Sequence, residues 1–436
     1  MAERVRLPGM RLPLAVMLSM TTVLLTALLA PAPAQAAPVT KRLAVVIIQN
    51  GDTDTERTQL ADTTYLRNMF FGSSGSLATW MPTVTHGLLS YTPAGDGVFV
   101  APPTAALTGA DKAACHSDLA RTDAQNHLTS LGVTWDSLAV VYDIYGCGWG
   151  GLGQMPGRVT WYPPRPSLSA IVHEFGHNQG YPHQSKRDCP AGNLASCKAN
   201  DYSGNTPMGS GGSGRGYSSV ELLHSGWLEA GWYQQVSTPG TFTLKPLYAP
   251  ISTTGVRVLE YKVSSRLSYV VETRAQGTAV DTSVTNPGVR VYAVTNRDYK
   301  NAYMINPGNA RYVPASTVLT DSANKITITV RSSSASGATV AVAAIAAAAT
   351  TRASTVRSAS PSPSVSPAES LPPSPEAEPS PIDSDGVIAD ITADKPRSQN
   401  SSIYAVIAVG LILALALAAA TTFLLRDRHR PRHRMR

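Results

Sequence analysis

The sequence predicts a mixed α+β domain, then a small all-β, sandwich-like domain, then a disordered stalk and one transmembrane helix. Three observations carry this. Apolar strand runs alternate with helical stretches as far as residue 233, and short runs rich in Val, Thr and Tyr succeed one another from 234 to 346. Beyond them a Pro/Ser tract leads into a long uncharged run.

Residues 1–36 read as a secretory signal: Arg4, Arg6 and Arg11, the apolar run "LAVMLSMTTVLLTALLA", then Ala34 and Ala36 as the small residues of a cleavage site. In 37–233, "RLAVVIIQN", "DGVFVAP", "SLAVVYDIYG" and "RVTWYP" are strand candidates. A polar stretch near Asp111–Leu131 reads as helix, and so does "SLSAIVHEFGHNQG", which Ser167 or Ser169 can cap. In 234–346, "GTFTLKPLY", "GVRVLEYKV", "LSYVVETRA", "GVRVYAV", "KITITVR" and "ATVAVAA" are short strands broken by turn residues. Residues 347–402, with "SPSPSVSPAESLPPSPEAEPSP", cannot bury a core; fully extended, they reach about 150 Å or more. Residues 403–425 are 23 uncharged residues, enough to cross a hydrocarbon core of about 30 Å, and 426–436 form a basic tail that stays cytoplasmic. The expectation is a single-pass type I protein of the cell membrane with its folded domains outside. Between the signal and the first strand no propeptide is expected.

The formal charge of +7 follows this layout. The signal contributes +2 (three Arg against Glu3) and the tail +5 (six Arg against Asp427), which leaves 37–425 neutral. Without a basic stripe interleaved with aromatics, the composition excludes nucleic acid as a partner. Cys115, Cys147, Cys189 and Cys197 all lie in the exported part. Four cysteines in an oxidising compartment suggest two disulfides with three possible pairings. Cys115–Cys147 with Cys189–Cys197 is the favoured one, the second closing a short loop. The spacings are not those of a cysteine zinc site.

The chemistry lies in "HEFGHNQGYPH", residues 173–183. Residues four apart share a helix face, so His173 and His177 can offer two imidazoles to one ion. Gly180 ends the helix and lets the chain turn back, so that His183 can supply a third. Three neutral nitrogens leave a tetrahedral Zn²⁺ one position open to water, and Glu174 beside the first ligand can take that water's proton. A chance match of the five positions has a probability on the order of 1 in 10⁵ at this composition. His86 and His127 read as surface or packing residues, His224 as packing under the site, Tyr202 as a weak oxyanion candidate, and His429 and His433 as part of the solvated tail.

H-E-x-x-H-x-x-G-x-x-H is also the motif of the metzincin metalloproteases, and here it stands as His173, Glu174, His177, Gly180 and His183. "DYSGNTPMGSGG" puts Met208 in a turn that resembles the methionine turn of that group. "GCGWGGLGQMPG", "YSGNTPMG" and "ELLHSGWLEAGW" resemble the gametolysin-like (peptidase M11) family in particular, over residues 41–345. A second, more diffuse likeness is to immune-inhibitor-A-type secreted peptidases, in which Asp stands where His183 does here. The resemblance implies an α+β metzincin-like catalytic domain, with a twisted sheet and helices over one catalytic Zn²⁺, and no structural Ca²⁺ is assigned. It implies an endopeptidase acting on a protein or peptide substrate laid along Gly151, Leu152, Gly153, Gln154 and Met155 as an edge strand. Two other readings fit the same residues: an adhesion module on an inactive scaffold, and a zinc-dependent cell-wall amidase.

Overall fold

The computed structural model describes residues 36–49, 61–102, 115–143, 147–308 and 311–346. The signal, but for Ala36, lies outside these, as do the stalk, the 403–425 span and the basic tail. Among the described residues no helix is long and apolar enough to cross a membrane.

The first sheet is built on β1 (Val39–Ile48), which pairs in parallel with β2 (Leu89–Ala101) on one side and β3 (Ser137–Tyr142) on the other. The two-residue β4 (Leu152–Gly153) is antiparallel to β5 (Val159–Tyr162), and β5 is parallel to β3, giving the order β2-β1-β3-β5-β4. "LAVVII" is continuously apolar because both faces of β1 are covered. Leu43, Val45 and Ile47 meet residues of α1 (Thr63–Phe71) and α2 (Leu77–Val84), among them Leu66, Phe70, Trp80 and Met81. Ala44, Val46 and Ile48 point the other way, onto Ala120, Ala124 and Leu128 of α3 (Ser117–Ser130). Full burial of a Val, Leu or Ile here contributes about 1.5–3 kcal/mol. α4 (Leu168–Asn178) lies on the α1–α2 face, with Ile171, Val172 and Phe175 in the same core.

Two further sheets follow. The seven-stranded one has the order β7-β6-β13-β12-β11-β10-β8, and the four-stranded one β14-β15-β16-β9. In chain order these are β6 (Ser185–Asp188), β7 (Lys198–Tyr202), α5 (Ser219–Ser225), β8 (Tyr233–Val236), β9 (Gly240–Leu244), β10 (Val258–Lys262), β11 (Leu267–Arg274), β12 (Gly288–Thr295), β13 (Tyr303–Asn306), β14 (Val318–Asp321), β15 (Ile326–Ser334) and β16 (Gly337–Ala344). Leu259, Val271 and Val291 from the larger sheet share a core with Ile328, Val330 and Val340 from the smaller, so these strands stack as two layers.

The boundary expected at 233/234 does not fall between separate sheets. β6 pairs in parallel with β13, Met304 opposite Lys186 and Asn306 opposite Asp188. The segment just after His183 is thus a strand of the sheet that the C-terminal half completes. Cysteine pairing is the favoured one: Cys115–Cys147, Cα–Cα 5.5 Å, and Cys189–Cys197, Cα–Cα 4.1 Å. The first ties the turn before α3 to the glycine-rich segment that leads into β4. The second closes the β6–β7 excursion.

Candidate metal centre

Ser167 caps α4, its side chain accepting a hydrogen bond from Ala170 N at 3.2 Å. The apolar residues of the helix face the sheet, and His173, Glu174 and His177 are carried on the remaining surface. At the end of α4, Gly180 has φ +89°, a conformation that costs a glycine little, and the chain turns back through Tyr181 to His183.

The three rings form a nearly equilateral triangle. Their centroids are 4.8 Å apart for His173–His177, 5.1 Å for His173–His183 and 5.0 Å for His177–His183. One nitrogen of each lies within 4.8 Å of the others, so the cluster can hold a metal ion. His173 Nε2 and His183 Nε2 are 3.1 Å apart. Two ligands at about 2.05 Å in tetrahedral geometry would stand about 3.3 Å apart, so the spacing fits zinc.

The backbone sets two of the tautomers. His173 Nδ1 lies 2.6 Å from Pro207 O, and His177 Nδ1 lies 2.7 Å from Tyr181 O. A carbonyl only accepts, so each Nδ1 carries the proton and each Nε2 offers its lone pair to the centre. Burial keeps the rings neutral: it holds His173 down at about 4 and His177 at about 3, and it lowers His183.

Glu174 is 6 % exposed, and burial pushes its carboxyl up to about 8. What buries it is β4. A Cβ on Gly151 would stand 2.7 Å from Glu174 Cγ, and one on Gly153 would stand 2.5 Å from Glu174 O and 2.7 Å from His177 Cβ. β4 is the last strand of its sheet and lies directly on the helix that bears the imidazoles. Gln154 O accepts from Asn178 Nδ2 at 2.9 Å, which ties the strand's end to α4, and Met155 is half exposed. Gly153→Ala is therefore expected to push β4 off α4 and to destabilise the protein by about 1–3 kcal/mol. Denaturant unfolding of the two proteins checks this.

Met208 is fully buried under α4, where a Cβ on Gly176 would run into its Sδ. Its turn is closed by Ser210 N donating to Ser203 O and Gly209 N donating to Thr206 O, both at 3.1 Å. Gln184 joins this turn to the third imidazole: Gln184 N donates to Met208 O at 2.9 Å, and Ser203 N donates to Gln184 O at 2.7 Å. Tyr202 packs edge-on against His183, ring centroids 4.7 Å apart. His224 lies beside Tyr181 and Gly180, and His86 packs between Trp232 and Tyr248. His127 sits on α3, across the sheet from α4.

These shifts give the metal-free protein a pH signature. His86, His173 and His177, held at about 4, 4 and 3, and the lowered His183 add stability that is fully present above the unfolded histidine value of about 6.5. That stability is lost as pH falls below it. Glu174 and Glu221, raised to about 8 and 7, act in the opposite sense: their contribution is lost as pH rises through those values. Melting temperatures of chelator-treated protein are expected to peak near pH 6.5 and fall on both sides. Thermal melts from pH 4.5 to 9 check this, and a Tm rising monotonically through that range would contradict it.

No family model matches the chain, and no curated protein does. Among solved structures, one titled "Structure of a chaperone-substrate complex" is similar at 15% identity, over 42% of this chain and 33% of that one, with a TM-score of 0.21. The chain thus spans about a third of that structure's length. A likeness this loose bears on neither fold nor function.

Proposed function

We propose that the chain is a zinc endopeptidase of the gametolysin-like metzincin type, exported and held at the cell surface by its C-terminal helix. The observation that carries this reading is a set of three neutral imidazoles meeting beside a buried carboxylate, against an edge strand that glycines bring onto the same helix. A zinc ion held by His173, His177 and His183 would supply the Lewis acidity that activates a water and polarises a peptide carbonyl.

The chain's own groups do the rest. An extended peptide adds to the outer edge of β4 by main-chain hydrogen bonds, which brings one of its carbonyls over the imidazoles. Glu174, one residue from a ligand, takes a proton from the attacking water and delivers it to the leaving amine. Its burial suits this work. A carboxylate raised toward neutrality is a stronger base than an exposed one, and a cation nearby draws it back into its charged form. The shell formed by Pro207 O and Tyr181 O holds two imidazoles in the ligating tautomer throughout.

The test pairs metal content with cleavage of casein, collagen-like peptides and peptidoglycan by the purified protein. About one zinc per chain with cleavage of the protein substrates is the expected result. Zinc with cleavage of peptidoglycan alone would make the chain an amidase, and zinc with no cleavage would favour an adhesion module. A chain that binds no zinc would overturn the reading.

A further inference from the structure

A buried line of hydrogen bonds starts in the seven-stranded sheet and ends at the metal centre. Glu272 and Arg274 project from β11, both essentially inaccessible to solvent, and Arg274 Nη1 donates to Glu272 Oε1 at 3.1 Å. Arg274 Nε also donates to Asp281 Oδ2 at 2.6 Å. These groups grip the segment before α5. Arg274 donates to Gly216 O at 3.0 Å and Tyr217 O at 3.3 Å, Gly216 N donates to Asp281 Oδ1 at 3.0 Å, and Ser219 N donates to Glu272 Oε2 at 2.6 Å. Each of these links is buried and has an ionisable side chain as donor or acceptor, which makes it stronger than a neutral hydrogen bond in water.

From α5 the line runs on to the methionine turn. Glu221 Oε2 accepts from Ser218 N at 2.6 Å, within a capping box, and from Thr206 Oγ1, also at 2.6 Å. Ser218 Oγ in turn accepts from Gln184 Nε2 at 2.7 Å, beside His183. Thr206 directly precedes Pro207, whose carbonyl accepts a hydrogen bond from His173 Nδ1. Glu221 is thus a buried carboxylate, 2 % exposed, that neither the hydrolytic step nor the ligand set uses.

We propose that Thr206 and Glu221 are positioning residues for the metal ligands: the Thr206 hydroxyl, held by Glu221, fixes the Pro207 carbonyl and through it the ring of His173. This rests on the metal-binding reading above. The β-rich half then does more than flank the site, because β11 holds the far end of the support. The hydroxyl matters for its hydrogen bond and not for its bulk, since Val has the same shape. Losing it leaves the Glu221 carboxyl held by Ser218 alone and frees the turn to shift under His173.

The experiment uses the whole protein and three forms: wild type, Thr206→Val and Thr206→Ser. The readouts are zinc affinity, by competition with a chelating dye, and the visible absorption bands of the cobalt-substituted protein. Thr206→Val is expected to bind zinc about 10- to 100-fold more weakly, the range for loss of a group that orients a metal ligand, and to show altered cobalt bands. Thr206→Ser, which restores the hydroxyl, is expected to return both to near wild type. Wild-type affinity and bands in Thr206→Val would overturn the proposal, and so would Thr206→Ser behaving like Thr206→Val. Should Thr206→Val lack a cooperative melt, Thr206→Ala removes the same hydroxyl without added strain and carries the same expectation. A wild type without zinc would sink the metal reading itself, a result distinct from either of these.

Discussion

Glu174→Gln is expected to lower kcat by about 10²–10⁴-fold, the range supplied by a positioned general acid–base group. KM should change little, and about one zinc per chain should stay bound. The reasoning is geometric. Gln fills the volume of Glu under β4, where Gly151 and Gly153 leave room for nothing larger, so the strand and helix keep their places. No candidate ligand is lost, because the three imidazoles can hold an ion without it. What disappears is the ability to take a proton and give it back. Kinetics of the two proteins, each with its metal content measured, decide the point. A kcat within threefold of wild type would remove Glu174 from the chemistry.

His177→Ala is expected to weaken zinc binding by more than about 100-fold, beyond the loss typical of an outer-shell change, and to abolish cleavage with it. His177 offers Nε2 to the centre while its Nδ1 is held by Tyr181 O, so the variant removes an oriented ligand and leaves that carbonyl without its donor. Two imidazoles on a hydrated ion bind far less tightly than three on a prearranged triangle. Dialysis against a zinc buffer followed by elemental analysis gives the loss. Retention of a full equivalent at wild-type affinity would mean that the ion sits elsewhere.

Much of this site is legible in the sequence because its ligand spacing is set by helical geometry. His173 and His177 must share a face, and Gly180 must turn the chain, whatever the rest of the fold does. The strands of the first sheet are legible for a similar reason: a strand covered on both faces leaves a continuous apolar run such as "LAVVII". α1 and α2 are not legible in the sequence. Their helical periods are short and interrupted, and their visible signals are the caps: Asp62 accepts from Thr64 N and Tyr65 N, and Ser76 forms a capping box with Thr79. β6 and β7 are not legible either. "SKRD" and "KANDY" carry no alternation of apolar residues, since what makes them strands is pairing, β6 with β13 more than 100 residues away and β7 with β6. The carbonyls of Pro207 and Tyr181 leave no mark in any side chain. Thr206 and Glu221 look like an ordinary turn residue and an ordinary capping glutamate until the fold sets them 2.6 Å apart.

The pairing of β6 with β13 also bears on when the ligand triangle is completed. His183 lies two residues before β6, and β6 finds its parallel neighbour only at Met304–Asn306. A chain made from its N-terminus has His173 and His177 long before that neighbour exists. The turn of Met208 braces Gln184 from nearby in the chain, but the strand that follows His183 gains its parallel neighbour only after more than a hundred further residues have followed and a slow, long-range pairing has formed. Synthesis order alone therefore sets the final bracing of the ligand triangle well behind the making of its ligands.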